Sequence, residues 1–182
     1  YASNSFLAVK ISFINEMALL AEKVGADIQK IAKAMGQDGR ISPKFLHAGP
    51  GYGGSCFPKD TKAIADIARK HGEKLNVVEA AIEANEKQKK RMVEKIVTNM
   101  GNVKNKTIAI LGLSFKPETD DMREAPSLDI IEGLIKNGAK IQAYCPQGMH
   151  EAKWRLENFS DNIQYCENEF EAVKDVDATV IV

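Results

Sequence analysis

Apolar side chains recur at helical spacing over residues 2–24, in two stripes. One runs through Phe6, Phe13, Met17, Leu20 and Val24, the other through Leu7, Ile11, Ile14, Ala18 and Ala21. Two stripes predict a helix buried around much of its circumference, with Gly25 as the residue that ends it. Asp27 followed by Ile28, Ile31, Ala32 and Met35 predicts a capped second helix over 27–35. Helical spacing resumes over 60–70, with Asp60 as N-cap and Ile64 and Ile67 inward. It runs again over 76–99, where Val78, Ile82, Val93, Ile96 and Val97 form an apolar side. The charged run Glu86, Lys87, Lys89, Lys90, Arg91, Glu94 and Lys95 reads as that helix's solvated face.

The pattern changes at Gly101–Lys106. Thr107–Leu111 is a short apolar run of buried-strand type, and Lys140–Tyr144, Asn162–Cys166 and Ala178–Val182 follow it. Between them, Ala125-Pro126-Ser127 opens a helix that ends at Asn137-Gly138, and Glu169–Val173 reads as a short one. Strand–helix alternation implies parallel pairing with right-handed crossovers. The expected fold is an all-α domain over 1–99 followed by an α/β, Rossmann-like, doubly wound parallel sheet over 100–182, incomplete at its C-terminus.

Composition narrows the function classes. The 182 residues carry 25 Lys+Arg against 25 Asp+Glu. A neutral chain without a basic stripe argues against nucleic acid as partner. No apolar run approaches the roughly 20 residues of a membrane span. Three widely spaced cysteines, Cys56, Cys145 and Cys166, suit neither a disulfide scaffold nor a metal site. A cytoplasmic protein is the expectation. The chain lacks an initiator methionine and stops inside an apolar run, so it reads as part of a longer protein.

The chemistry concentrates in 36–60, which holds six of the 13 glycines and Pro43, Pro50 and Pro58. Within it, Gly51-Tyr52-Gly53-Gly54-Ser55-Cys56-Phe57-Pro58-Lys59-Asp60 places a cysteine on a permissive loop before a helix. A helix N-terminus and a neighbouring lysine both favour a nucleophilic thiolate. The residues alone also admit a small buried cysteine beside a turn. Cys145 and Cys166 fall in predicted strands and read as core fillers.

The run GPGYGGSCFPKD over 49–60 resembles the catalytic motif of the nucleotide-sugar dehydrogenases. NSFLAVKISFINE over 4–16, RISPKFLHAGPGYGG over 40–54 and LGLSFKPETDDMRE over 111–124 match the same family in the same order. The resemblance covers essentially the whole chain. It implies a helical middle domain followed by a UDP-sugar-binding domain, with an N-terminal NAD-binding domain absent from this chain. The implied reaction is a two-step, NAD-dependent oxidation of UDP-glucose to UDP-glucuronate through a cysteine thiohemiacetal and thioester. Carried over motif by motif, Cys56 is the nucleophile and Asp60 activates water or orients a proton relay. Asn4 steadies the oxyanion together with a lysine four residues earlier, which would precede Tyr1.

The sugar nucleotide is held by the segment His47, Ala48, Gly49, Pro50, Gly51, Tyr52, Gly53 and Gly54. Phe45 and Leu46 lie beside the sugar, Arg40 reaches the neighbouring subunit's substrate, and Phe115 and Lys116 serve from the second domain. Arg123, with Cys56, meets NAD. The resemblance also implies a homodimer through the helical domain. Tyr144-Cys145-Pro146 departs from the family's aspartate-proline after that strand. Lacking the cofactor domain and half the oxyanion site, this stretch alone is expected to be inactive. Two other readings stand beside this one: a GDP-mannose 6-dehydrogenase, and a non-catalytic dimerisation and nucleotide-binding module.

Overall fold

The structure, a computed structural model, describes all 182 residues. It forms two compact units, Tyr1–Gln88 and Lys89–Val182, so the division falls inside a helix.

The first unit is helical. Helix α1 spans Ala2–Val24 and ends on Gly25, whose backbone is left-handed at φ 69° and whose N–H donates to Ala21 O. Helix α2 spans Ile28–Gly36, and the Asp27 carboxylate caps it by accepting from the N–H groups of Gln29 and Lys30. Helix α3 covers Phe57–Lys70 and helix α4 covers Asn76–Met100.

Two expectations for this unit are corrected. Helix α1 does not bury both stripes: Phe6, Phe13, Leu20 and Val24 are exposed, and its buried face is Ser5, Ala8, Ser12, Ile14, Asn15 and Ala21. Small and amide side chains on that face allow close approach to the rest of the unit. On α3, Ile67 is exposed, and the inward positions are Thr61 and Ala65, one helical turn apart.

The second unit is the expected α/β layer. Strands β1 (Thr107–Leu111), β2 (Lys140–Tyr144), β3 (Ile163–Tyr165) and β4 (Ala178–Ile181) make one parallel sheet in the order β3-β2-β1-β4. Helices α5 (Pro126–Lys136), α6 (Met149–Arg155) and α7 (Glu169–Ala172) connect them. The chain moves outward from β1 to β3 and then returns past β1 to β4. Right-handed crossovers therefore cover both faces of the sheet. The core joins Ile108 and Ile110 of β1 with Ile130, Ile131 and Leu134 of α5, and the C-terminal half of α4 packs on it through Val93, Ile96 and Val97. Gly133 allows that approach, since a Cβ there would stand 2.6 Å from Val93 Cγ2.

The charged run on α4 holds a third correction. Lys89 is 2% exposed. Its ammonium faces Asp129 at 3.3 Å and Glu124 at 3.8 Å. The apolar stem is buried while two carboxylates, Glu124 just before α5 and Asp129 within it, meet the charge, which a helical-wheel reading of α4 alone does not reveal. No helix is long and apolar enough to cross a membrane.

Candidate active site

Helix α3 begins three residues earlier than expected. Cys56 is its N-cap residue and Pro58 lies in the first turn, where a missing N–H costs nothing and the ring's fixed φ suits the helix. Asp60 is thus not the cap but a first-turn residue, and its N–H donates to Cys56 O at 2.8 Å. The Cys56 side chain is exposed. It lies at the positive end of a 14-residue helix, with the Ser55 hydroxyl 3.7 Å from its sulfur. Cys145 and Cys166 are both buried.

Asp60 is the polar centre of this helix start. Asn4 of α1 donates from Nδ2 to Asp60 Oδ2 at 2.6 Å, and Lys59 Nζ stands 3.0 Å from Oδ1. The Asn4 hydrogen bond, then the Lys59 one, hold the Asp60 carboxyl below the ordinary carboxylate range. Asp60 in turn raises the Lys59 ammonium. Asn4 and Asp60, far apart in sequence, are therefore brought together one helical turn from Cys56.

A depressed folded-state value means that the Asp60 interactions stabilise fully above the unfolded carboxylate value of about 4, and that this is lost as pH falls through the lower folded value. Asn4→Ala is expected to lower Tm at neutral pH. Its deficit relative to the native protein should shrink steadily below about pH 4. A pH series of melting curves checks this.

The predicted sugar-nucleotide segment is a loop without regular structure. Leu46, Tyr52, Gly53 and Gly54 are buried; Ala48, Gly49, Pro50 and Gly51 are half-buried; His47 is exposed. Gly51 and Gly54 take φ of 122° and 81°, conformations that glycine adopts freely. Phe45 is partly exposed, with its own φ at 63°. The Phe57 ring meets Phe45 and Tyr52 edge-on at 5.8 and 6.1 Å, which anchors the loop to the start of α3. Arg40 is on the surface, where its guanidinium forks onto Asp38 at 2.6 Å.

Phe115, Lys116 and Arg123 belong to the second unit, in the loop between β1 and α5. Lys116 Nζ lies over the Phe115 ring at 5.4 Å. Arg123 forks onto Asp121, with contacts of 2.9 and 2.7 Å, and this holds the Asp121 carboxyl below its ordinary range.

Two features escaped sequence reasoning. Asn15 on α1 and Asn85 and Gln88 on α4 hold the backbone of the glycine loop. The detectable signal is an amide pair three residues apart, continuing the inward stripe of Val78 and Ala81. The second is the surroundings of Cys145, which is buried in the core as a filler is. Burial pushes its thiol up, but the N–H groups of Leu113, Ser114 and Gly148 outweigh that and draw it down. Burial and then Glu171 push Cys166 up.

The chain thus carries an exposed cysteine at the start of a helix behind a glycine loop, followed by an α/β unit with a parallel sheet. The comparisons make the class specific. Residues 1–87 match the central domain of the UDP-glucose/GDP-mannose dehydrogenase family, and residues 109–182 match its UDP-binding domain. The chain belongs to the UDP-glucose/GDP-mannose dehydrogenase family. It is 50% identical to the UDP-glucose 6-dehydrogenase TuaD of Bacillus subtilis, over all of this chain and 39% of that protein. It is 45% identical to the UDP-glucose 6-dehydrogenase of Rhizobium meliloti, over all of this chain and 41% of that one. A UDP-glucose dehydrogenase structure from the archaeon Pyrobaculum islandicum superimposes with a TM-score of 0.94 at 36% identity, covering all of this chain and 41% of that one. The chain thus spans about two-fifths of the length of these relatives.

Proposed function

We propose that this chain supplies the thiol-bearing and UDP-sugar-binding parts of an NAD-dependent UDP-glucose 6-dehydrogenase that makes UDP-glucuronate. The observation that carries the reading is the exposed Cys56 at the start of α3, with Asp60 and Asn4 hydrogen-bonded one turn away. The two B. subtilis UDP-glucose 6-dehydrogenases at 50% identity over the whole chain support the choice of substrate.

The chain's own residues do not form a dinucleotide cradle. Such a cradle needs glycines open to the pyrophosphate. The turn after β1 holds a lone Gly112, and a Cβ there would meet Val182 O at 2.7 Å, so the space beside it belongs to the chain. A bound NAD would supply the hydride acceptor for each of the two oxidations. Arg123 is the residue of this chain that would reach it.

The remaining roles fall to this chain. The thiolate of Cys56 adds to the C6 aldehyde, and the resulting oxyanion is steadied by the Asn4 amide, a neutral donor held in place by Asp60. A second oxidation leaves a thioester on Cys56. Asp60, kept ionised by Asn4 and Lys59, orients the water that splits it, returning the thiol and releasing the carboxylate. The loop from His47 to Gly54 wraps the sugar nucleotide with Phe45 and Leu46 beside the sugar, and the second unit holds the nucleotide through Phe115 and Lys116. Arg40, exposed on its loop, reaches the substrate of a second copy. The exposed stripe Phe6, Phe13, Leu20 and Val24 on α1 is the face through which two copies pair.

The test is the full-length protein with NAD and a panel of UDP- and GDP-sugars. Two NADH per UDP-glucuronate from UDP-glucose is expected, with GDP-mannose turned over far more slowly. The 182-residue chain alone should give no NADH. Equal use of GDP-mannose, or no oxidation of any nucleotide sugar, would overturn the proposal.

A further inference from the structure

The glycine loop that bears Cys56 has a buried backbone but no strand or helix to pair with. Tyr52, Gly53 and Gly54 are all buried. Buried peptide groups must find partners, and outside a helix or sheet those partners are side chains or water. Asparagine and glutamine are the neutral side chains that carry a donor and an acceptor together, as a peptide does.

Three such side chains meet the loop. Asn85 treats Tyr52 as a neighbouring strand would: its Oδ1 accepts from Tyr52 N–H at 2.7 Å and its Nδ2 donates to Tyr52 O at 3.0 Å. Gly49 is held from both sides, its N–H donating to Asn15 Oδ1 and its carbonyl accepting from Gln88 Nε2, each at 2.8 Å. All three amide residues are themselves buried, at 2%, 2% and 8% exposure. Asn85 and Gln88 share one face of α4, while Asn15 projects from α1, so two helices grip the loop at points three residues apart. Ser12 ties these helices to each other by donating to Ala81 O at 3.0 Å.

We infer that Asn15, Asn85 and Gln88 form an amide clamp that positions the 49–54 backbone for the sugar nucleotide. They are positioning residues, since they act through the loop. Glycine at 51 and 54 lets the chain reach its conformation but does not select it, because glycine loses more conformational freedom on ordering than any other residue. The clamp supplies the selection. Without it the loop samples many shapes, and substrate must order it on binding, which weakens binding without altering the chemistry at Cys56.

This inference rests on the proposed activity for its kinetic arm and on the geometry alone for its other arm. In the full-length protein, Asn85→Leu and Gln88→Met keep shape and remove the amide. Amide hydrogen exchange should rise at least about tenfold at Tyr52 in Asn85→Leu and at Gly49 in Asn15→Leu, while exchange elsewhere in α1 and α4 stays put. KM for UDP-glucose should rise about tenfold or more in Asn85→Leu and Gln88→Met, with KM for NAD unchanged and kcat within about threefold. Gln88→Glu keeps the shape but points a carboxylate at the Gly49 carbonyl, and should be worse than Gln88→Met. Unchanged exchange at Gly49 and Tyr52 would overturn the clamp. Faster exchange with an unchanged KM for UDP-glucose would overturn its positioning role. A native enzyme that fails to oxidise UDP-glucose would defeat the proposed activity instead, and the exchange arm would still decide the clamp.

Discussion

Cys56→Ala in the full-length protein is expected to abolish UDP-glucuronate formation, a loss on the order of 10³-fold or more. The second oxidation needs a carbon that carries both a hydrogen to lose and a heteroatom that can later leave. A free aldehyde offers no such leaving group, whereas a sulfur adduct does. Sulfur also suits both halves of the task, because a thiolate adds readily to a carbonyl and departs readily from an acyl group. Alanine removes the sulfur from an exposed position. Binding of UDP-glucose, measured by calorimetry, should stay within about threefold of native, because the loop contacts are intact. Cys56→Ser should be almost as inactive, since a hydroxyl at neutral pH is a far weaker nucleophile than a thiolate. Acid formation is checked by chromatography of the uridine nucleotides after prolonged incubation.

Gly112→Ala is expected to carry the largest stability loss of any single methyl addition in the second unit, about 2–4 kcal/mol. Two independent costs combine. The backbone at Gly112 has φ of 92°, a region that an L side chain adopts only under strain. The added Cβ would also stand 2.7 Å from the main-chain oxygen of Val182, which lies just past β4 and is tied back by its own N–H donating to Leu111 O at 3.0 Å, so it cannot swing aside as a side chain can. Gly112 leaves β1 beside the start of the loop that carries Phe115 and Lys116, so the same change should weaken UDP binding. Chemical denaturation of native and variant proteins gives the stability difference. A change below about 0.5 kcal/mol would mean that the turn after β1 relaxes freely, contrary to this geometry.

The contrast between these positions shows what the sequence made readable. Helices α1 and α2 and the strand–helix alternation after Gly101 were legible because their signals are local. Asp27 caps the helix that begins beside it, Gly25 ends the helix before it, and a parallel sheet writes its strands as short apolar runs. The glycine loop and the helix after it single out Cys56, with a buried filler left open, whereas Asn4 and a chemical role for Asp60 come only through the family resemblance; the geometry adds that Asn4 and Asp60 touch.

The errors share a physical origin. An aspartate after a glycine-rich run looks like a cap, which predicts that α3 starts at Asp60. Pro58 in the first turn was the better indicator, and it moves Cys56 onto the helix end itself. The charged neighbours of Lys89 in sequence point it to solvent, while the carboxylates that accept it, Glu124 and Asp129, come from the loop before α5 and from α5 itself. Phe6, Phe13, Leu20 and Val24 looked like core because large apolar residues usually are. On α1 the small side chains Ser5, Ala8 and Ser12 took the buried face. Helix α6 is a single short segment of seven residues whose apolar period is too brief to stand out.

The central claim is that Cys56 becomes covalently bonded to substrate carbon during turnover. Mass spectrometry of the full-length enzyme, quenched in acid while it turns over UDP-glucose with saturating NAD, tests it most directly. The peptide containing Cys56 should carry an added UDP-glucuronyl mass that vanishes on treatment with hydroxylamine, and the peptides containing Cys145 and Cys166 should not. Steady production of UDP-glucuronate with Cys56 unmodified at every quench time, and still unmodified when Asp60→Asn slows hydrolysis, would contradict it.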